Sequence, residues 1–183
     1  MESSELLHSG YLIYRNYHDR EKRRAGGVLI AVKACVFKSF TEYPLAREFQ
    51  DPEIASVVVT TVSDQRILFC SCYWPPDSDP SWVHLFNLFP DQVCDQFQNM
   101  VICGDINLPN ISWDSVDSAS GANELPFIEA LHDHVLTQIN STPTRGSNIL
   151  DLVITSASEH TKVTEVLSPD KAGVLTDHCV VQF

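Results

Sequence analysis

One stretch constrains the fold more than any other: "NMVICGDINLPNISWDS", residues 99–115, in which an apolar run from Met100 to Cys103 halts at a glycine and then presents Asp105, Ile106 and Asn107. A short apolar run bounded by turn formers is the pattern of a strand buried on both faces. Such a strand needs a layer of structure above it and another below. The glycine supplies a kink at its end, and the Asn and Pro beyond supply a loop.

The remaining segments agree with a layered domain. "GYLIY" from Gly10 and "GGVLIAVK" from Gly26 read as strands on either side of a basic loop, "RNYHDREKRR", and a Gly pair opens the second. "SVVVTTVSD" and "RILFCSCYWPP" are β-rich runs joined across Asp64 and Gln65, a hairpin signal. From Pro80 to Gln98, Trp82, Leu85, Phe86, Leu88, Phe89, Val93 and Phe97 make a helical stripe broken by Pro90, which predicts two short helices or one interrupted at Phe89. Residues 112–123 read as polar loop, and "ELPFIEALHDHV" sets Phe127, Leu131 and Val135 four apart on one helical face. "LTQIN", "NILDLVITS", "KVTEVL" and "HCVVQF" read as four short strands. Strands outnumber helices, with helices between some of them, so the expected class is α/β or α+β.

A length of 183 residues suits a single domain with a sizeable core. No apolar stretch approaches a membrane span, and "MESSELLHSGYLIYR" lacks the basic, apolar and small-residue regions of a secretory leader. The expectation is a soluble intracellular chain, nuclear or cytoplasmic, with no membrane partner. On that basis the sequons at Asn110 and Asn140 are discounted. Cys35, Cys70, Cys72, Cys94, Cys103 and Cys179 form no CxxC pair and have no zinc-type histidine spacing, so they read as reduced, mostly buried small hydrophobes. A formal net charge of −12 argues against polyanion binding driven by the overall field. It leaves room for a nuclease, because carboxylates around a divalent cation are neutralised locally. The basic cluster Arg15, Arg20, Lys22, Arg23 and Arg24 reads as a solvated loop that can also contact phosphate.

The chemistry gathers at strand ends. Tyr73 in "CSCYWPP", Asp105 and Asn107 in "CGDIN", Asp151 in "NILDLV", and Asp177 with His178 in "LTDHCVV" each follow or interrupt an apolar run. That places them at the rim of a sheet, where loops carry sites on a rigid frame. Phosphate-ester hydrolysis needs a carboxylate-held cation, a base for water and donors for the oxyanion. Asp105 suits the base, Asn107 a donor to a phosphate oxygen, and Asp177 a ligand for a hard metal such as Mg²⁺. His178 suits the phosphoryl group if a carboxylate fixes its tautomer, and Asp151 is the candidate for that task.

In order and wording these segments resemble the endonuclease/exonuclease/phosphatase superfamily. "GGVLIAVK", "YWPP", "ICGDINLP", "TPTRGSNILDLVIT" and "TDH" are similar in particular to the endonuclease domains of non-LTR (LINE-type) retrotransposons, from about Gly10 to Phe183. The resemblance implies a DNase I-like two-sheet α/β sandwich flanked by helices. It also implies catalytic Tyr73, Asp105, Asn107, Asp151 and His178, metal-binding Asp177, and Mg²⁺ or Mn²⁺ as cofactor. DNA is the implied substrate, and a reverse transcriptase the domain once fused to it. Thr176 replaces the usual Ser before the Asp-His pair.

The family's pattern also holds an Asn strand and a metal-binding Glu strand ahead of the "GY" segment. Glu2 and Glu5 are the only acids there, and they read as a solvated terminus. The expectation is therefore a domain over residues 1–183 that lacks its first strands, binds metal weakly and is impaired as a nuclease. Two other readings stand beside it: a non-catalytic remnant, and a phosphomonoesterase of the same superfamily. Calcineurin-like metallophosphatases also use Gly-Asp, but their D-x-H and GNH segments are missing. Trp74 stands where related sequences often carry Arg, which suggests stacking on a base. His8, His18, His84, His132, His134 and His160 show no partner pattern and read as surface residues.

Overall fold

The computed structural model of the chain describes residues 10–16, 27–45, 53–76, 81–113 and 121–183. Glu2, Glu5, His8, His18 and most of the basic loop lie outside the described residues.

Ten strands and three helices follow in the order β1 (Tyr11–Asn16), β2 (Val28–Lys33), β3 (Ser39–Glu42), β4 (Glu53–Thr60), β5 (Arg66–Trp74), α1 (Ser81–Val93), β6 (Asn99–Ile106), α2 (Glu124–Asp133), β7 (Thr137–Gln138), β8 (Asp151–Thr155), β9 (Glu165–Leu167), α3 (Pro169–Ala172) and β10 (Val180–Gln182). A central six-stranded sheet runs β3-β4-β5-β6-β8-β7. Its pairs are antiparallel except β5 with β6, whose parallel register is reached through α1. That crossover is the reason a helix is needed there.

Strand alternation divides the side chains of this sheet between two layers. Ile54 and Val58 of β4, Leu68, Cys70, Cys72 and Trp74 of β5, Met100, Ile102 and Ile106 of β6, and Leu152 and Ile154 of β8 meet Val83, Phe86, Phe89 and Val93 of α1 and Phe127, Ile128 and Leu131 of α2. The opposite face carries Val57 and Val59 of β4 with Ile67 and Phe69 of β5, packed under Tyr14, Ile30 and Val32 of β1 and β2. In β6, Met100, Val101 and Ile102 are buried, as the apolar run requires, while Cys103 and Asp105 on the face away from the helices are half-buried. The expected two-sheet sandwich holds, but among the described residues its second layer is two separate antiparallel pairs, β1 with β2 and β9 with β10.

Two local expectations need correction. The stripe around Pro90 forms one helix, with Pro90 buried in its last turn and the Cys94 N–H bonded to the Pro90 carbonyl at 2.8 Å. A proline costs an interior helix one N–H bond, and near the C-terminal end the packing of Phe86, Phe89 and Val93 outweighs that loss. Trp74 does not reach a base: it is 3% exposed, with its ring edge-on to Phe127 at 6.0 Å and tilted against Trp82 and Phe86. Even registry along β5 turns it into the helix layer.

Candidate active site

Register brings the candidate residues together. Glu53, Tyr73, Asp105 and Asp151 occupy one row across four neighbouring strands, because Glu53 pairs with Tyr73, Tyr73 with Asp105, and Asp105 with Asp151. Residues directly opposite point to the same face, and this row faces away from the helices. The row exists because β6 can approach β5 closely at Gly104. Its φ is +151°, and a Cβ there would lie 1.7 Å from the carbonyl oxygen of Cys72. The glycine of "CGDIN" is thus a packing necessity that sets the height of the next residue, Asp105.

Two carboxylates directly opposite one another repel. His178 relieves the pair. Its Nδ1 lies 2.8 Å from Asp151 Oδ2, and its Nε2 lies 4.0 Å from Asp105 Oδ2. The first is a hydrogen bond that fixes the ring; the second is too long for one. All three side chains are largely buried, at 22% exposure for Asp105, 23% for Asp151 and 18% for His178. Burial pushes the Asp105 carboxyl above its usual value, and Asp151 adds to the rise; His178, a hydrogen bond from Asn107 and the charge of Arg145 oppose it. Asp105 Oδ1 is buried and has no hydrogen-bond partner among the described residues.

Sequence-expected residues divide into those inside this cluster and those around it. Asp105, Asp151 and His178 form its centre, and Tyr73 neighbours Asp105 in register. Asn107 is anchored by donating from Nδ2 to the Trp74 carbonyl at 2.9 Å. Asp177 stands at the exposed rim, ion-paired with Arg145 at 2.7 Å. The small desolvation it suffers is outweighed by its own backbone N–H and by Arg145, so its carboxyl lies below the usual value. Thr176 Oγ1 accepts the His178 N–H at 3.2 Å.

Three further residues shape the site without having been singled out in the sequence. Glu53 is buried at the head of the row and accepts the Gly27 N–H at 3.0 Å; a charged residue opening the apolar run "EIASVVV" was its signal. Thr144 is 1% exposed, and its Oγ1 accepts the N–H groups of Leu150 and Asp151 at 3.1 and 3.0 Å. Nothing in its local pattern distinguishes it from the neighbouring Thr142. Arg145 was legible as the lone cation in a stretch that ends on a site carboxylate. Among the histidines read as surface residues, His134 is an exception: it is half-buried and pairs with Asp91 at 3.0 Å, joining the end of α2 to α1.

Carboxylate oxygens and an imidazole nitrogen suit a divalent cation, and ligand atoms of Asp105, Asp151 and His178 lie within 4.8 Å of one another. The orphaned Asp105 Oδ1 has a lone pair to give. The thiols do not compete for this role, since burial pushes Cys103 up to about 11 and holds Cys70 and Cys72 neutral as well.

This sheet and this cluster define a DNase I-like protein of the endonuclease/exonuclease/phosphatase superfamily. Residues 67–182 match the family described as endonuclease-reverse transcriptase, and the chain belongs to it. Among solved structures it is similar to the endonuclease domain of TRAS1, a telomere-specific non-LTR retrotransposon, with a TM-score of 0.69 and 18% identity over 94% of this chain and 76% of that one. It is similar too to a 3′-5′ exonuclease from Neisseria meningitidis, with a TM-score of 0.64 and 15% identity over 94% of this chain and 78% of that one. An AP endonuclease from Archaeoglobus fulgidus gives 0.56 and 11% over 95% and 80%. No curated protein matches in sequence. At these identities the structures attest the fold, and the resemblance to retrotransposon endonucleases read from the motifs is borne out. Among the described residues no helix is long and apolar enough to cross a membrane.

Proposed function

We propose that the chain is a single domain, residues 1–183, that hydrolyses phosphodiester bonds in DNA with Mg²⁺ or Mn²⁺, as a nicking endonuclease of retrotransposon type working beside a reverse transcriptase. The observation that supports this reading is the imidazole of His178 set between the carboxylates of Asp151 and Asp105 where β6 ends and β8 begins.

Each group suits one task. Asp151 holds the His178 ring through Nδ1, which leaves Nε2 to meet a phosphoryl oxygen. Asp105, its carboxyl raised by burial, is a stronger base than an exposed aspartate and takes the proton of the attacking water. The Tyr73 hydroxyl donates to a phosphate oxygen, and Asn107, held by the Trp74 carbonyl through one Nδ2 hydrogen, turns the other from Asp105 to the phosphate. Asp105, through its unpartnered Oδ1, and Asp177 at the rim are the carboxylates that would hold the cation. When bound, it supplies a positive charge that polarises the phosphoryl group.

Nicking of supercoiled plasmid by the purified chain with Mg²⁺ or Mn²⁺ tests the reading, beside Asp105→Ala and His178→Ala. Nicking abolished in both variants supports it. Hydrolysis of small phosphomonoesters with none of plasmid would replace the diester with a monoester as substrate. Because the formal charge is −12, DNA binding should be weak and fall steeply with salt.

A further inference from the structure

Arg145 combines a rigid mount with a loosely held side chain. Its backbone sits in a tight turn, bridged to Asn148, with Gly146 at φ +59°. The preceding residue, Thr144, binds three segments at once. Its N–H donates to the Asn148 carbonyl at 2.9 Å, its carbonyl accepts the Cys179 N–H at 2.8 Å, and its Oγ1 caps Leu150 and Asp151. The turn is therefore fixed to the strand that carries Asp151 and to the residue after His178. The side chain is different: the Arg145–Asp177 pair is 48% and 66% exposed. Exposed ion pairs contribute little net free energy, so this one opens easily. The guanidinium also lies near enough to Asp105 to lower that carboxyl.

Resting on the proposed phosphodiesterase reading, we propose that Arg145 binds the phosphate oxyanion of the substrate and that its ion pair with Asp177 is the resting form of the site. On binding, the guanidinium turns from the Asp177 carboxylate to the phosphate, and the freed carboxylate would be available to help hold the cation. A guanidinium presents five donors in a planar fork that matches a phosphate at two oxygens. Cation and phosphate then assist one another, because each releases the partner the other requires. An acidic site thereby gains a positive contact for its anionic substrate.

The consequence is a pair of opposed effects. Calorimetry with Mn²⁺ alone, with inorganic phosphate alone, and with phosphate in saturating Mn²⁺ reads them. Arg145→Gln should tighten Mn²⁺ several-fold, since Asp177 is freed, while weakening phosphate about tenfold or more, as the loss of a charge-assisted hydrogen bond implies. Asp177→Asn should do the reverse, tightening phosphate measured without Mn²⁺ and weakening Mn²⁺. Arg145→Lys should restore part of the phosphate affinity. Arg145→Gln that leaves phosphate affinity unchanged, or that weakens Mn²⁺, would overturn the inference. Mn²⁺ binding lost in Asp105→Asn while Arg145→Gln changes nothing would defeat the inference and spare the reading beneath it. Mn²⁺ binding indifferent to Asp105→Asn would defeat both.

Discussion

The two faces of the central sheet are built from the same strands and do different work. Toward α1 and α2, Leu68, Met100, Ile102, Leu152 and Ile154 are essentially inaccessible, and the aromatic rings of Trp74, Phe86 and Phe127 interlock. On the other face burial is uneven, and Val101, Val153 and Thr155 are as deeply buried there as the helix-side residues. Val57 and Val59 are covered by β1 and β2, whereas Ile67, Phe69, Tyr73 and Asp105 are half-buried. A groove of about 490 Å³ opens on that face, lined in part by Ile67, Phe69, Val101 and Phe183, and shares no residue with the Asp105–Asp151–His178 cluster. The helix face is packed throughout, whereas the Asp105–Asp151–His178 cluster lies where the other face is only partly covered. A strand covered on one side and rimmed on the other is a stiff mount whose polar groups still reach substrate.

The largest effect that would break this contrast lies in activity. Removing the base or the imidazole should cost nicking about 10²–10⁴-fold, the usual contribution of general acid–base groups. Asp105→Ala and His178→Ala should do so while melting close to the parent, because neither packs the helix face. A variant that lost activity only in proportion to lost folded protein would show that the two faces are not separable.

Next in size is the core itself. Phe127 is fully buried, and Phe127→Ala should destabilise by about 3–5 kcal/mol, read from the midpoint of a urea transition. Phe69→Ala, on the half-covered face, should cost clearly less. Equal costs would mean that the second layer is as well packed as the first.

How much of this was legible in the sequence follows the same division. The strand buried on both faces, the helical stripes and the strand-end residues could be read because period and turn chemistry are local properties. The pairing of Asp151 with His178 was expected from the residues, but the placement of Asp105 opposite Asp151 depends on the register between β6 and β8. The break at Pro90 and the stacking of Trp74 on a base were misread for a related reason, since tertiary packing decides both. Thr144 left no local signal at all: its importance lies in which three segments it touches.

Thr144→Val sharpens that last point with a smaller effect. The change keeps the shape but leaves the N–H groups of Leu150 and Asp151 without their shared acceptor, at a cost of about 1–3 kcal/mol. Thr144→Ser should recover most of it. If the residue positions chemistry and does not merely stabilise, the pH dependence of nicking should shift in the Val variant, because Asp151 orients His178. An unaltered profile would restrict Thr144 to folding.

The smallest effect concerns pH and has a definite sign. The Asp105 carboxyl is raised in the folded chain, mainly by burial, so the folded state favours its neutral form. A raised carboxyl contributes stability that is present below its unfolded value and lost as pH rises through the folded one. At neutral pH the ionised Asp105 is therefore a liability for folding. Asp105→Asn keeps the shape and removes the charge, so it should melt higher than the parent at pH 7. The difference should shrink on acidification and vanish below the ordinary carboxylate range, where the parent is protonated as well. Saturating Mg²⁺ should raise the parent at pH 7 and leave Asp105→Asn nearly unmoved, because a ligand stabilises only the form that binds it. If the Asn variant instead melted lower at pH 7, the attraction between Asp105 and His178 would outweigh desolvation. The thin face would then be held together by its charges and not strained by them.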